Sequence, residues 1–126
     1  MGQKTQYPLI LYTLDTNAII YYLKDDRNAV SALQEIFDSN APVYISTITE
    51  TELFSFPNLT PKEISLIDEL LSTLSIIPLS SKIARIAGSL KRIYNVKLGD
   101  AVIAATTLFT GSTLLTRNVE DFRKIK

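Results

Sequence analysis

Apolar positions come in short runs, and the first run sets the organisation of the chain. Residues 9–14 are almost continuously apolar and carry no helix signal, which predicts a buried strand. The run stops at Asp15, and a second apolar segment extends from Ala18 to Leu23. Thr16 or Asn17 can cap a helix that begins there, since a short side-chain oxygen accepts a free backbone N–H. Asp15 is therefore predicted at the C-terminal tip of a central strand.

Helical and extended patterns then alternate along the chain. Apolar residues recur at helical spacing in four further segments, and short apolar runs between them predict three more strands. The helical segments are 30–38, 61–74, 80–94 and 98–109, and the strands are 43–45, 75–79 and 113–116. Pro78 suggests that the third strand lies at a sheet edge. This alternation predicts an α/β fold with a mostly parallel sheet, formed by one domain over residues 1–126.

Capping signals mark two of the helix starts. Thr60, Pro61 and Glu63 combine an N-cap, a proline at the first position and a glutamate at the third. After the second strand, Thr47 with Glu50 and Thr49 with Glu52 form two overlapping candidates for the same capping box. Glu50 and Glu52 point about 200° apart on a helix, so only one of them can face a given site.

Acidic residues occupy matching places in this topology. Asp15 follows strand one, Glu52 or Glu50 follows strand two, and Asp100 lies at the start of an apolar helix, while Asn118 and Asp121 follow strand four. A parallel sheet gathers such residues at its C-terminal edge, where ligands bind. Convergent carboxylates repel one another unless a cation is present, and Mg²⁺ and Mn²⁺ prefer oxygen ligands. Each acid alone fits an ordinary cap or a solvated side chain, but together they favour a metal site able to support phosphodiester hydrolysis.

Composition narrows the chemistry further. The 126 residues contain no cysteine and no histidine, which excludes disulfides, zinc–thiolate sites and the Ser-His-Asp triad. No apolar run is long enough for a membrane helix, and the N-terminus lacks the pattern of a signal peptide. The 13 basic and 13 acidic residues balance, so net charge does not argue for nucleic acid. Five basic residues and no acid lie between Ser80 and Leu98, a pattern that is most often a solvated helix face.

Four segments together resemble the PIN-domain ribonucleases, and within them the VapC-type toxins of toxin–antitoxin pairs. The resemblance covers residues 9–122, nearly the whole chain. Each segment is weakly specific alone, and the four in order are fairly specific. They are Leu14-Asp15-Thr16-Asn17, the stretch 45–53, Leu98-Gly99-Asp100 with the apolar residues 101–105, and the stretch 114–122.

The resemblance implies a three-layer α/β/α sandwich around a mostly parallel sheet of four or five strands. It implies that Asp15, Glu52 and Asp100 bind Mg²⁺ or Mn²⁺, that Glu50 caps a helix, and that Asn118 or Asp121 is the fourth site residue. Thr16, Asn17 and Thr116 match supporting positions. The implied function is that of a cytoplasmic, metal-dependent endoribonuclease toxin, a homodimer that acts on RNA and is inhibited by a cognate antitoxin, with no membrane association.

Two other functions fit the same residues. One is a structure-specific DNA nuclease that uses the same acidic site, which would prefer flap or single-stranded DNA to RNA. The other is a non-catalytic PIN-like interaction module, which would bind no metal.

Overall fold

The structure is a computed structural model, and it describes residues 10–116. These residues form four strands and six helices in the alternating order that the sequence predicts. The strands are β1 (Tyr12–Leu14), β2 (Val43–Ser46), β3 (Ser75–Ile77) and β4 (Thr113–Leu115). The helices are α1 (Thr16–Leu23), α2 (Arg27–Asp38), α3 (Thr47–Phe54), α4 (Pro61–Leu71), α5 (Ser81–Tyr94) and α6 (Leu98–Thr110).

The sheet has the order β3-β2-β1-β4, and every pair of neighbouring strands is parallel. Strand β1 therefore has a neighbour on each side, as predicted for the central strand. Strand β3 lies at one edge, with Pro78 directly after it, as the proline suggested. Because all four strands run the same way, the residues that follow β1, β2 and β4 meet at one edge of the sheet.

Helices cover both faces of the sheet, which confirms the three-layer α/β/α architecture. Successive side chains of a strand point to opposite faces. On one face Leu14 and Ile45 pack with buried residues of α1 to α4, including Ile19, Leu33 and Leu53. On the other face the buried residues of α5 and α6 form a second cluster, against which Ile77 of β3 packs. Within residues 10–116, no helix is both long and apolar enough to cross a membrane.

The helix caps agree only partly with the sequence predictions. Thr60 and Glu63 form the predicted capping box at α4, with bonds of 3.1 Å and 2.9 Å in the two directions. Gly111 ends α6 in the left-handed conformation (φ 68°), as expected of a glycine that closes a helix. At α1 the prediction was wrong, because Asp15 is the N-cap and Thr16 is already helical.

Both capping boxes predicted for α3 are also wrong. The N-cap is Ser46, whose Oγ accepts the backbone N–H of Ile48 at 3.1 Å. Thr47 is thus the first helical residue, and its hydroxyl instead accepts the N–H of Leu79 after β3. Helix α3 begins directly at the strand tip, one residue earlier than a box with Thr47 as the N-cap requires and three residues earlier than a box with Thr49. Glu50 therefore does not close a capping box, contrary to the role that the resemblance implied.

Candidate active site

Asp15 is held rigidly at the tip of the central strand. Its side chain is only 2% exposed. One carboxylate oxygen, Oδ1, accepts the N–H of Ala18 at 2.8 Å and so caps α1. The other, Oδ2, accepts a hydrogen bond from the hydroxyl of Thr116, directly after β4. Because two strands and a helix fix this carboxylate, its position is set by the sheet itself.

Glu52 projects from the second turn of α3 toward the same edge. Its Oε1 accepts a hydrogen bond from the Thr16 hydroxyl, which links α3 to the first residue of α1. Thr16 Oγ1 also lies 3.3 Å from the hydroxyl of Thr49, a fully buried residue of α3. The Thr16 hydroxyl therefore orients the Glu52 carboxylate, and Thr49 contacts that hydroxyl. Glu50 does not line this cleft.

Asp100 is the third residue of α6, and Lys97 is the N-cap residue, with no side-chain capping bond. Asp100 is therefore not the N-cap of α6, the ordinary role of a lone aspartate at a helix start. The first turn of a helix carries a partial positive charge, which favours an ionised carboxylate there. A Cβ on the neighbouring Gly99 would lie 3.0 Å from Glu52 Oε2. The glycine therefore leaves the room that brings Glu52 against the first turn of α6.

The three acids line one open cleft of about 340 Å³. The described residues that also line it are Thr16, Asn17, Ile20, Ser55, Phe56, Lys97 and Ile103. All three acids carry the oxygen donors that a hard divalent cation prefers. In the described part of the chain, however, no three acidic side chains form a cluster close enough to hold a metal ion. The residues fit such a cation in ligand chemistry, and the acids share a cleft without closing around one point.

Asn118 and Asp121, the two candidates for the fourth site residue, lie outside the described residues. Thr116, the last described residue, donates its hydroxyl to the Asp15 carboxylate. Sequence reasoning did not single out Lys97 for the site, although it heads the Leu98-Gly99-Asp100 segment. It brings a positive charge to a cleft lined by three carboxylates.

A second, larger groove of about 580 Å³ adjoins the acidic cleft, since Asn17, Ile20 and Phe56 line both. Its walls come from α1, α3, α4 and the α3–α4 connection, and they are largely apolar. Phe56 and Leu66 in these walls are 46% and 45% exposed. Exposed apolar side chains in one groove are typical of a surface that binds another protein.

The sequence profile of the PIN domain matches residues 12–126. The chain belongs to the PIN domain family. The match spans all three acids of the cleft, and it confirms the resemblance drawn from the four sequence segments. The fold, too, is the one that this family membership implies.

Two relatives of this PIN domain carry names that describe a ribonuclease. The chain is 30% identical over 124 residues to a protein named ribonuclease VapC2 from Rickettsia felis, with 92% of each chain covered. A 27% identical relative from Haemophilus influenzae, with 93% of each chain covered, has the same name.

Solved structures of toxin–antitoxin and VapBC proteins also match most of this chain. A toxin–antitoxin complex from Klebsiella pneumoniae matches with a TM-score of 0.77 and 33% identity, covering 90% of this chain and 92% of that one. VapBC2 from Rickettsia felis, solved with a DNA fragment from its promoter, matches with a TM-score of 0.78 and 25% identity, covering 92% and 93%.

Proposed function

We propose that this chain is a divalent-metal-dependent endoribonuclease and the toxin of a type II toxin–antitoxin pair. The observation that carries the proposal is the meeting of Asp15, Glu52 and Asp100, from three separate elements, in one cleft at the C-terminal edge of the sheet. Relatives named ribonuclease VapC support RNA as the substrate. Asp15, Glu52 and Asp100 would hold Mg²⁺ or Mn²⁺, and Asn118 or Asp121 would complete the site.

A divalent cation held here supplies Lewis acidity toward a phosphate and activation of the attacking water. The protein contributes orientation. The Ala18 N–H and the Thr116 hydroxyl fix the two oxygens of Asp15, and Thr16 fixes Glu52. Lys97 in the cleft wall provides a positive charge for the phosphate backbone of the substrate. The sequence has no histidine, so none of these roles falls to an imidazole.

The proposal includes a cognate antitoxin, a homodimer and a cytoplasmic location. The solved VapBC and toxin–antitoxin complexes support the antitoxin. The apolar groove that opens into the cleft offers a docking surface from which a bound protein would block access to the acids. Leu66→Glu, which places a charge in that groove, should weaken inhibition by co-expressed antitoxin while leaving RNA cleavage intact. Full inhibition of this variant would place the antitoxin elsewhere.

The deciding experiment compares two aspartates that both cap helices. Asp15 caps α1 from within the cleft, whereas Asp26 caps α2 by accepting the Ala29 N–H at 3.0 Å. Asparagine is as good an N-cap as aspartate, so both Asn variants should fold. Purified protein is incubated with structured RNAs and with Mg²⁺, Mn²⁺ or EDTA. Asp15→Asn should abolish metal-dependent cleavage and Asp26→Asn should not.

Three results would contradict the proposal. A wild-type cleavage rate in folded Asp15→Asn would show that this acid is not part of the site. Equal cleavage in EDTA would show that the reaction needs no metal. Preferential cleavage of flap or single-stranded DNA would favour the DNA nuclease.

The non-catalytic alternative is tested by thermal melting, because a bound ion stabilises the native state by mass action. Mg²⁺ or Mn²⁺ should raise Tm in the wild type but not after joint replacement of Asp15, Glu52 and Asp100 by Asn, Gln and Asn.

A further inference from the structure

Three of the four basic residues of α5 form one stripe along its outer face, and the fourth, Lys91, instead donates its Nζ to the Val96 carbonyl at 3.0 Å. Lys82, Arg85, Ser89 and Arg92 follow one another at intervals of three, four and three residues, which places them within about 80° on a helix. The three basic side chains are exposed. The opposite face carries the buried residues that pack against α6, namely Ile83, Ala87 and Leu90. We call Lys82, Arg85 and Arg92 the basic stripe.

One end of the basic stripe lies near the first turn of α6, and the other lies near the end of α6. Lys82 lies over the ring of Phe109, 5.7 Å from its centroid, so the start of α5 is next to the end of α6. At the other end, only residues 95–97 separate the two helices. The end of α5 with Arg92 is therefore near the first turn of α6, where Lys97 and Asp100 line the cleft. From Arg92 to Lys82 the helix extends about 15 Å, the length of roughly four stacked nucleotides.

A solvated helix face is the ordinary explanation of such charges, and two observations favour a ligand instead. The chain has zero formal charge, yet no acid interrupts the segment from Ser80 to Leu98. The positive charge is therefore concentrated here rather than being part of a general excess. Moreover, Lys97 continues the same charge into the wall of the cleft. A linear array of cations leading out of a phosphodiester-cleaving site matches the spacing and charge of a nucleic-acid strand.

We propose that the basic stripe binds the phosphate backbone of the RNA strand that extends from the cleft. This inference rests on the proposed nuclease function and adds a substrate surface outside the acidic site. Contacts to phosphates position a strand without reading its sequence. The stripe therefore contributes affinity and orientation to any RNA, and it belongs to substrate binding rather than to the chemical step.

The test compares two double variants that change the net charge equally. Arg85→Gln with Arg92→Gln removes two charges of the stripe, and Arg27→Gln with Lys62→Gln removes two exposed charges from α2 and α4. Lys82 is kept because its contact with Phe109 could also affect packing. Binding of a fluorescently labelled 20-nucleotide single-stranded RNA is measured in EDTA, between 50 and 200 mM salt, so that metal-dependent cleavage does not intervene.

The stripe variant should bind RNA about tenfold more weakly at 50 mM salt than either the wild type or the control. Each lost phosphate contact on a single strand lowers the slope of log K against log salt by about 0.7, so the slope should fall by about 1.4. The difference from the wild type should then shrink about sevenfold across this salt range. Equal affinities and slopes for the stripe and control variants would overturn the inference. So would weaker binding to duplex DNA with unchanged binding to RNA.

Cleavage kinetics separate this inference from the function on which it rests. In an active enzyme, the stripe variant should raise KM for a long RNA and leave kcat unchanged. A lower kcat with unchanged KM would overturn the binding role. If the wild type cleaved no RNA but bound it through Arg85 and Arg92, the nuclease proposal would fail and the binding surface would stand.

Discussion

The starts of α3 and α4 carry the same local pattern and form different structures. Each contains threonine followed three residues later by glutamate: Thr47 and Thr49 at α3, and Thr60 at α4. At α4 the capping box forms between two exposed residues, each of whose side chains bonds the backbone N–H of the other. At α3 neither box forms, because the helix begins at a buried strand tip where other elements supply partners. Leu79 bonds Thr47, Thr16 lies against Thr49, and the Thr16 hydroxyl binds Glu52.

The difference shows that a capping motif decides a local structure only where no tertiary contact competes for the same side chains. At an exposed helix start the local bonds are the only ones available. At the sheet edge, tertiary partners divert the same residue types into the candidate active site. Replacing Glu52 or Gly99 at the sheet edge should therefore lower RNA cleavage. Replacing Thr60 at the start of α4 should lower stability instead.

The largest effect is expected for Glu52→Gln. A neutral amide is a poor ligand for a hard cation, and changes merely next to a metal site already reduce activity about 10–100-fold. Loss of RNA cleavage on the order of 100-fold or more is therefore expected, measured as the initial rate at saturating Mg²⁺ with circular dichroism to check folding. Glu50→Gln and Glu63→Gln should stay close to the wild type. A dead Glu50→Gln enzyme beside an active Glu52→Gln enzyme would mean that the wrong glutamate has been assigned.

Gly99→Ala should separate activity from stability. The added Cβ lies 3.0 Å from Glu52 Oε2, so the carboxylate must shift, and a drop in cleavage of about tenfold is expected. Thermal stability should not fall, because alanine is favoured over glycine in helices. Gly88→Ala in α5 is the matched control, since its Cβ would meet nothing within 4 Å. It should stabilise by about 0.5–1 kcal/mol and leave cleavage unchanged. Equal cleavage by the two variants would show that Glu52 tolerates the displacement.

Thr60→Ala should lower stability and leave RNA cleavage unchanged, the reverse of the result expected for Gly99→Ala. Loss of this N-cap should lower the free energy of unfolding by about 1 kcal/mol, measured by denaturant titration. RNA cleavage per folded molecule should stay the same, because the box is exposed and neither Thr60 nor Glu63 lines the acidic cleft. Thr60→Ser keeps a capping hydroxyl and should retain most of the stability. A loss of cleavage in folded Thr60→Ala would couple the start of α4 to the site.

The smallest effect concerns pH. Hydrogen bonds from the backbone N–H and then the side chain of Thr60 lower the pKa of Glu63 below its usual value of 4.5. A carboxylate with a lowered folded-state pKa stabilises the protein above its unfolded pKa, and this contribution disappears as pH falls through the folded value. At pH 7 the Tm of the wild type should therefore be slightly higher than the Tm of Glu63→Gln. This difference in Tm should disappear when the pH falls below about 4. A gap that widened in acid would reverse this assignment.

The sequence by itself determined the class of fold, because the period of the apolar residues is a local property that sets each element. It predicted four strands, their alternation with helices, the internal position of β1, the edge position of β3 and the capping box at Thr60. It also located Asp15, Glu52 and Asp100 at strand ends and helix starts. The C-terminal ends of parallel strands lie at one edge of a sheet, so the parallel topology is enough to predict that these three acids lie close together.

Only the tertiary structure decided which partner each polar side chain takes. The hydroxyl of Thr116, far from Asp15 in sequence, bonds the carboxylate oxygen that does not cap α1. Glu52 turns to Thr16, and Gly99 makes room for it. Lys97 joins the cleft because the loop after α5 ends there. Such contacts depend on distances across the packed layers, and local patterns carry no record of those distances.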